Sequence, residues 1–124
     1  MPDIWKDDQP IYRQLRDRVV ALVMEGTYAE GEAIPSVRQV SSEYQINHLT
    51  VSKAYQELVD EGLVEKRRGV GMFVISGARE MILESERNKF LTDELPALVE
   101  RLRQLGISTE QLLTKIQNLG EGQE

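Results

Sequence analysis

The sequence has no cysteine and a single histidine, His48, among 124 residues. That excludes a disulfide framework and a thiolate metal site, and one imidazole among scattered carboxylates makes a poor metal centre. Catalysis by nucleophile and base lacks its parts, because no Ser, Asp and His fall at a motif spacing. Gly69 and Gly71 have neither a strand-to-helix setting nor the following lysine of a phosphate loop. No apolar run approaches the ~18 residues of a membrane span, and no signal-peptide pattern precedes Trp5. Internal repeats and low-complexity stretches are missing as well. The expectation is a cytoplasmic protein that is not an enzyme, uses no cofactor or metal, and does not enter a membrane.

Positive charge is also scarce, at 15 Lys+Arg against 21 Asp+Glu, a net of −6. Phosphate contacts need cations, so the total speaks against a nucleic-acid partner. The distribution weakens that objection. Three cations stand in a row at Lys66, Arg67 and Arg68, and Arg38 and Lys53 fall in the helical stretch just before them. A basic patch can exist locally on an acidic molecule.

What is present is concentrated between Pro35 and Val74. Ser36 and Gln39 are spaced as a capping box for a short helix that buries Val37, Val40 and Tyr44. Asn47 is a good N-cap for a second helix, and Gly62 suits its left-handed exit. Within that helix Val51, Ala54, Tyr55 and Leu58 form one apolar stripe, while Leu49, Ser52, Lys53 and Gln56 point the other way. The bend around Gln45 and Ile46 makes the pair a helix-turn-helix. Leu63–Arg67 and Met72–Ser76 then have strand character, with Gly69-Val70-Gly71 as the turn. A helix-turn-helix followed by a basic hairpin is a winged helix, a shape that reads DNA.

The flanks support that unit. Residues Met1–Gln9 lack periodicity and read as a loose arm, with Trp5 packed on a neighbouring helix or a dimer partner rather than stacked on a base. From Ile11 to Glu25, the residues Ile11, Leu15, Val19, Leu22 and Val23 form a helical stripe that Gly26 ends. This is a scaffold helix, and its Arg13 or Arg16 is in reach of a phosphate. The turn at Tyr28–Ala33 delivers Ile34 to a short edge strand beside the hairpin. After Ser76, Met81, Ile82, Leu91, Leu95, Leu98, Val99, Leu102 and Leu105 recur at helical spacing. Pro96 either opens a new helix capped by Thr92 or Asp93 or kinks a long one; two helices are the preferred reading. Ser108 and Gln111 form another capping box, for a last helix Thr109–Asn118 carrying Leu112, Leu113, Ile116 and Leu119, and Gly120–Glu124 reads as a disordered tail. These stripes have too little mass to bury themselves, so a second copy is the economical cover.

The motifs Pro35-Ser36-x-Arg38, Thr50-Val51, Glu61-Gly62-Leu63 and Arg68-Gly69-x-Gly71-x-Phe73-Val74, in this order between Ile11 and Val74, resemble the N-terminal domain of GntR-superfamily transcriptional regulators. The short tail resembles that of the YtrA-like branch, whose C-terminal part is a helical dimerisation element. The resemblance implies a mainly α protein with a small β hairpin. Residues 1–76 would form a winged helix-turn-helix DNA-binding domain, and residues 77–124 a helical dimerisation region. Leu91, Leu95, Leu98, Leu102, Leu105, Leu112 and Ile116 would line the dimer interface.

Site roles follow from chemistry and family position together. Arg38 can fork two donors onto guanine O6 and N7, against the alternative of a surface salt bridge with Glu43 or Asp60. His48 stands where many relatives carry a base-reading arginine, so base contact competes with a capping or phosphate role. Asn47 binds phosphate, caps the helix, or does both, and Thr50 donates to phosphate or serves the first helical turn. Leu49 meets a thymine methyl or packs within the molecule. Ser52 takes the place of a longer base-reading residue, and Lys53 reaches phosphate or guanine. Arg68 and Gly69 match positions that enter the minor groove, the alternative being a solvated hairpin turn. The reading is a homodimeric, sequence-specific regulator of transcription, a repressor binding an inverted repeat of double-stranded DNA; the resemblance to the YtrA-like branch implies a nearby operon for transport or membrane proteins. A small-molecule effector is compatible with it. The alternative is a winged-helix adaptor that binds an acidic protein and ignores DNA sequence.

Overall fold

The computed structural model describes residues 5–121. Helix α1, Ile11–Glu25, follows its apolar period, burying Leu15, Val19, Val20 and Val23, and Gly26 stops it in the left-handed conformation, φ 91°. Helix α2, Val37–Tyr44, carries the expected capping box. Ser36 Oγ accepts from the Gln39 N–H at 3.1 Å, and Gln39 Oε1 accepts from the Ser36 N–H at 2.8 Å. Helix α3, His48–Asp60, is capped by Asn47 Oδ1, which accepts from the Leu49 N–H at 2.8 Å. It ends in a Schellman motif: the Leu63 N–H returns to Leu58 O and the Gly62 N–H to Val59 O, both at 3.0 Å.

The bend between α2 and α3 is made by a residue other than glycine. Gln45 takes φ 53°, a left-handed conformation that costs roughly 1–2 kcal/mol outside glycine. Its neighbours hold it there. The Ile46 N–H donates to Ser41 O at 3.2 Å, Ser41 Oγ donates to Ile46 O at 2.6 Å, and the Ile46 side chain is buried.

Strands β1, Val64–Arg67, and β2, Gly71–Val74, pair antiparallel with Val64 opposite Val74, Glu65 opposite Phe73 and Lys66 opposite Met72. The edge strand expected at Ile34 is a single bridge, Ala33 to Phe73, reinforced by Ile34 N–H to Met72 O at 2.9 Å and Val74 N–H to Glu32 O at 3.0 Å. The core sits where α1, α3 and the ribbon converge. Val51, Ala54, Tyr55 and Leu58 are its centre, with Val64 and Val74 beneath. Tyr55 is buried and donates its hydroxyl to Pro35 O at 2.6 Å, which fixes the entry to α2. Burial pushes the Tyr55 hydroxyl to a higher pKa, so it keeps its proton.

Three expectations are corrected. The first four residues of the arm lie outside the described residues, but Trp5–Gln9 is not loose. The Gln14 side chain accepts from the Lys6 N–H at 2.7 Å and donates to Lys6 O at 2.7 Å and Gln9 O at 2.8 Å. Trp5 packs edge-on to Tyr44, with centroids 5.7 Å apart. Second, the backbone stays helical through Pro96. Helix α4, Ala78–Lys89, leads into a π-helical turn, Phe90–Glu94, and helix α5, Leu95–Leu105. Neither Thr92 nor Asp93 caps a new helix; Glu94 and Leu95 are both right-handed helical, and the Leu95 N–H reaches Phe90 O. A widened turn lets the chain pass a residue that has no N–H to give and a ring that crowds the preceding turn. Third, helix α6, Thr109–Glu121, runs past Asn118, so Gly120 and Glu121 are helical; Gly122, Gln123 and Glu124 lie outside the described residues.

The chain divides into two compact units, one ending at Glu84 and one starting at Ser85. Ala78 and Ile82, in the first turns of α4, are buried in the core of the first unit. The start of α4 is tied down there: Glu30 accepts from the Gly77 and Arg79 N–H groups at 3.0 Å each, and Arg79 Nε donates to Met24 O at 2.8 Å. In the second unit, α6 opens with the Ser108–Gln111 capping box. No residue of that unit is buried among those described. No described helix is long and apolar enough to cross a membrane.

Candidate nucleic-acid interface

Because the Val51–Leu58 stripe fills the core, the opposite side of α3 is left to solvent. His48, Leu49, Ser52, Lys53 and Gln56 are all exposed, and Thr50 is half-buried at the edge. Leu49 is 66% exposed, which disposes of the intramolecular packing alternative for it. Asn47 spends its side-chain oxygen on the α3 cap, leaving its amide nitrogen to act outward.

Arg38 comes from α2 to the same side as the start of α3. With Val37, Ser41, Ser42 and His48 it lines one open depression, so the two side chains expected to contact bases are brought together. Arg38 has no ion-pair partner among the described residues. Of the two carboxylates considered for it, Asp60 instead accepts from Gln56 Nε2 at 2.9 Å. Lys53 Nζ lies 4.0 Å above the Tyr12 ring, an exposed contact worth about 0.5–1 kcal/mol, weak enough for a phosphate to replace.

The cations of α1 are used differently. Arg13 pairs with Glu57 at 3.3 Å. Arg16 forks onto both oxygens of Glu61 and also meets Asp17 at 2.8 Å. Hydrogen bonding to Glu61 raises the Arg16 pKa still further, so the charge is permanent. These pairs tie α1 to the C-terminal half of α3, so in the free protein Arg13 and Arg16 are engaged by carboxylates. Tyr44 is held in similar fashion, accepting from Arg18 Nε at 3.1 Å.

At the hairpin, Gly69 takes φ 76° with open space around it, and Arg68 beside it is exposed. Val70, between the two glycines, is 65% exposed at the tip. Sequence reasoning passed over Lys66 as a site residue. It lines a cleft between α3 and the ribbon, with Ser36, Ser52, Gln56, Gly71 and Met72. The signal was available in strand alternation, which sets Lys66 on the face opposite Glu65 and Arg67.

No group of acidic and histidine side chains among the described residues is arranged to hold a metal ion. In the second unit, Leu91, Leu95, Leu98, Leu105 and Ile116 are exposed, while Leu102 and Leu112 are half-buried.

Residues 11–74 match the family model described as bacterial regulatory proteins, gntR family. The chain is 31% identical over 107 residues to the HTH-type transcriptional repressor YtrA of Bacillus subtilis, covering 86% of this chain and 82% of that protein. It is 29% identical to the uncharacterized HTH-type transcriptional regulator YhcF of the same organism, covering 98% of this chain and 99% of that protein. A crystal structure of a GntR-family transcriptional regulator from Bacteroides thetaiotaomicron superposes with a TM-score of 0.78 at 32% identity, covering 91% of this chain and 99% of that one.

Proposed function

The chain belongs to the GntR family of bacterial regulatory proteins, and from that premise we propose a homodimeric repressor that reads an inverted-repeat operator. It is a DNA-binding transcriptional regulator with a winged helix-turn-helix and not an enzyme, as its relatives are. The observation that carries the finer reading is the open face of α2, α3 and the hairpin. There Arg38, His48, Leu49, Ser52, Lys53 and Arg68 are all exposed, while Arg13 and Arg16 are held in ion pairs with Glu57 and Glu61.

In this reading the outer side of α3 enters the major groove. Arg38 forks onto a guanine, Leu49 meets a thymine methyl, and His48 takes a neighbouring base or phosphate. Lys53, Thr50 and the Asn47 amide fix the register through phosphates, and Ser52 leaves room for the backbone. Arg68 and Gly69 enter the adjoining minor groove, where a narrow groove concentrates negative potential. The apolar side chains of the π-helical turn, α5 and α6, from Leu91 to Ile116, are covered by a second copy. Fully burying an exposed leucine or isoleucine is worth about 1.5–3 kcal/mol, and covering the exposed part of each of these contributes a fraction of that toward association. The two-fold axis then relates two reading heads, and the operator mirrors it. Residues 1–76 serve recognition and residues 77–124 serve assembly, within the cytoplasm, on an operon for transport or membrane proteins.

Footprinting on the promoter of the protein's own gene is the test. A protected inverted repeat, lost at high salt, is the expected result. Binding that is indifferent to sequence would remove this reading in favour of a winged-helix adaptor for an acidic protein.

A further inference from the structure

Three consecutive cations, Lys66, Arg67 and Arg68, end β1 and begin the turn, and the structure divides them. Strand alternation sends Glu65 and Arg67 to one face and Lys66 to the other. On the first face Arg67 is engaged twice. Its Nε and Nη2 each lie 3.0 Å from Glu65 Oε1, and its guanidinium sits 4.1 Å over the Phe73 ring. On the other face Lys66 borders the cleft against α3, whose walls include Ser52 and Gln56 and no carboxylate. Among the described residues Lys66 has no hydrogen-bonding or ionic partner.

Duplex geometry gives this cleft a definite position. A protein with a helix in the major groove and a hairpin turn in the neighbouring minor groove must straddle the sugar-phosphate strand that separates them. The gap between α3 and the ribbon is where that strand has to pass. We propose that this cleft is a saddle for the DNA backbone and that Lys66 is its phosphate-binding cation, with Ser52 and Gln56 as neutral hydrogen-bonding walls. Arg67 is the ribbon's internal brace and takes no part in binding. The proposal rests on the DNA-reading function above and adds a positioning contact to it. Lys66 fixes how the head sits, and base choice stays with Arg38 and the start of α3.

The experiment uses the full-length protein and a duplex it enriches from a randomised pool. Affinity is measured against salt for the wild type, Lys66→Ala, Lys66→Arg and Arg67→Ala. Loss of one phosphate contact lowers the salt slope by about 0.9 per half-site. Lys66→Ala should show that loss equally on matched and mismatched duplexes, Lys66→Arg should restore it, and Arg67→Ala should keep the wild-type slope. Neutral methylphosphonates placed singly along the duplex add a positional readout. One position per half-site should weaken the wild type and have no effect on Lys66→Ala. A Lys66→Ala protein with the wild-type slope and the wild-type methylphosphonate profile overturns the saddle while leaving the regulator intact. Equal losses in Lys66→Ala and Arg67→Ala overturn it too, because the effect is then one of ribbon integrity. A wild type that enriches no sequence from the pool overturns the DNA-reading function itself.

Discussion

The two units of this chain treat their apolar residues in opposite ways. The first closes a core on itself, with Leu15, Val51, Tyr55, Leu58, Val64 and Val74 each almost wholly removed from solvent. The second has apolar side chains at the same helical spacing, yet Leu98 is 40% exposed and Ile116 52% exposed in the single chain. The difference is one of geometry. A ribbon and three helices packed on one another can surround a centre, whereas no described residue of the second unit is buried.

The largest effect should come from breaking the second unit. Leu98→Asp puts a charge where a partner copy would bury it, at a cost too large for such an interface to absorb. The variant should sediment as a monomer at micromolar concentration. Its operator affinity should fall by about 10²–10⁴-fold, because two linked heads gain that much from avidity. A dimeric Leu98→Asp protein would end the assignment of this face to assembly. The place of truncation sharpens the contrast. A chain ending at Glu84 keeps Ala78 and Ile82 in the core and should melt near the wild type, whereas one ending at Ser76 should melt well below it.

Next comes the first unit's core. Leu58→Ala should cost roughly 2–5 kcal/mol in urea unfolding, through lost transfer energy and a cavity. The same change at Leu119, 57% exposed, should leave the unfolding of the first unit unchanged. Equal costs at both positions would mean that the second unit has a core of its own.

On the reading face the effects are smaller and carry sequence information. Arg38→Ala should weaken operator binding by about 1–3 kcal/mol per half-site and flatten discrimination at one base position. Lys53→Ala should weaken matched and mismatched duplexes alike and reduce the salt slope by about one unit per half-site. Titrations against single-base variants of the operator separate the two. If Arg38→Ala lost affinity evenly across all variants, Arg38 would be a phosphate ligand.

The smallest effect concerns the start of α4. Hydrogen bonds from the Gly77 and Arg79 N–H groups hold the Glu30 carboxyl below its ordinary pKa of 4.5. A carboxylate whose pKa is lower in the folded state contributes stability above its unfolded pKa, and that stability is lost as pH falls through the folded value. Thermal melts from about pH 6 to about pH 3 should therefore fall more steeply for the wild type than for Glu30→Gln. Parallel curves would show that the anchor adds nothing to folding.

Much of the first unit was legible because its signals are local. The Ser36–Gln39 box, the Asn47 cap, the Gly26 and Gly62 exits and the Val51–Leu58 stripe lie within a few residues of each other, at spacings the helix itself imposes. The loose reading of the arm failed because Gln14, eight residues from Lys6, supplies the bonds that hold it. The break expected at Pro96 failed because a π turn, invisible in residue types, absorbs the missing donor.

The sequence by itself determined the order of the first three helices and the hairpin, the caps of α2 and α3, which side of each helix is apolar, and the family motifs along Pro35–Val74. Only the tertiary structure decided which charges are free. Arg13, Arg16 and Arg67 look as available as Arg38, Lys66 and Arg68 when read along the chain. The first three find Glu57, Glu61 and Glu65 once the chain folds, and the others do not. Backbone periodicity is fixed by neighbours in sequence. A charge's partner is fixed by neighbours in space, and for Arg13 and Arg16 those lie more than forty residues away.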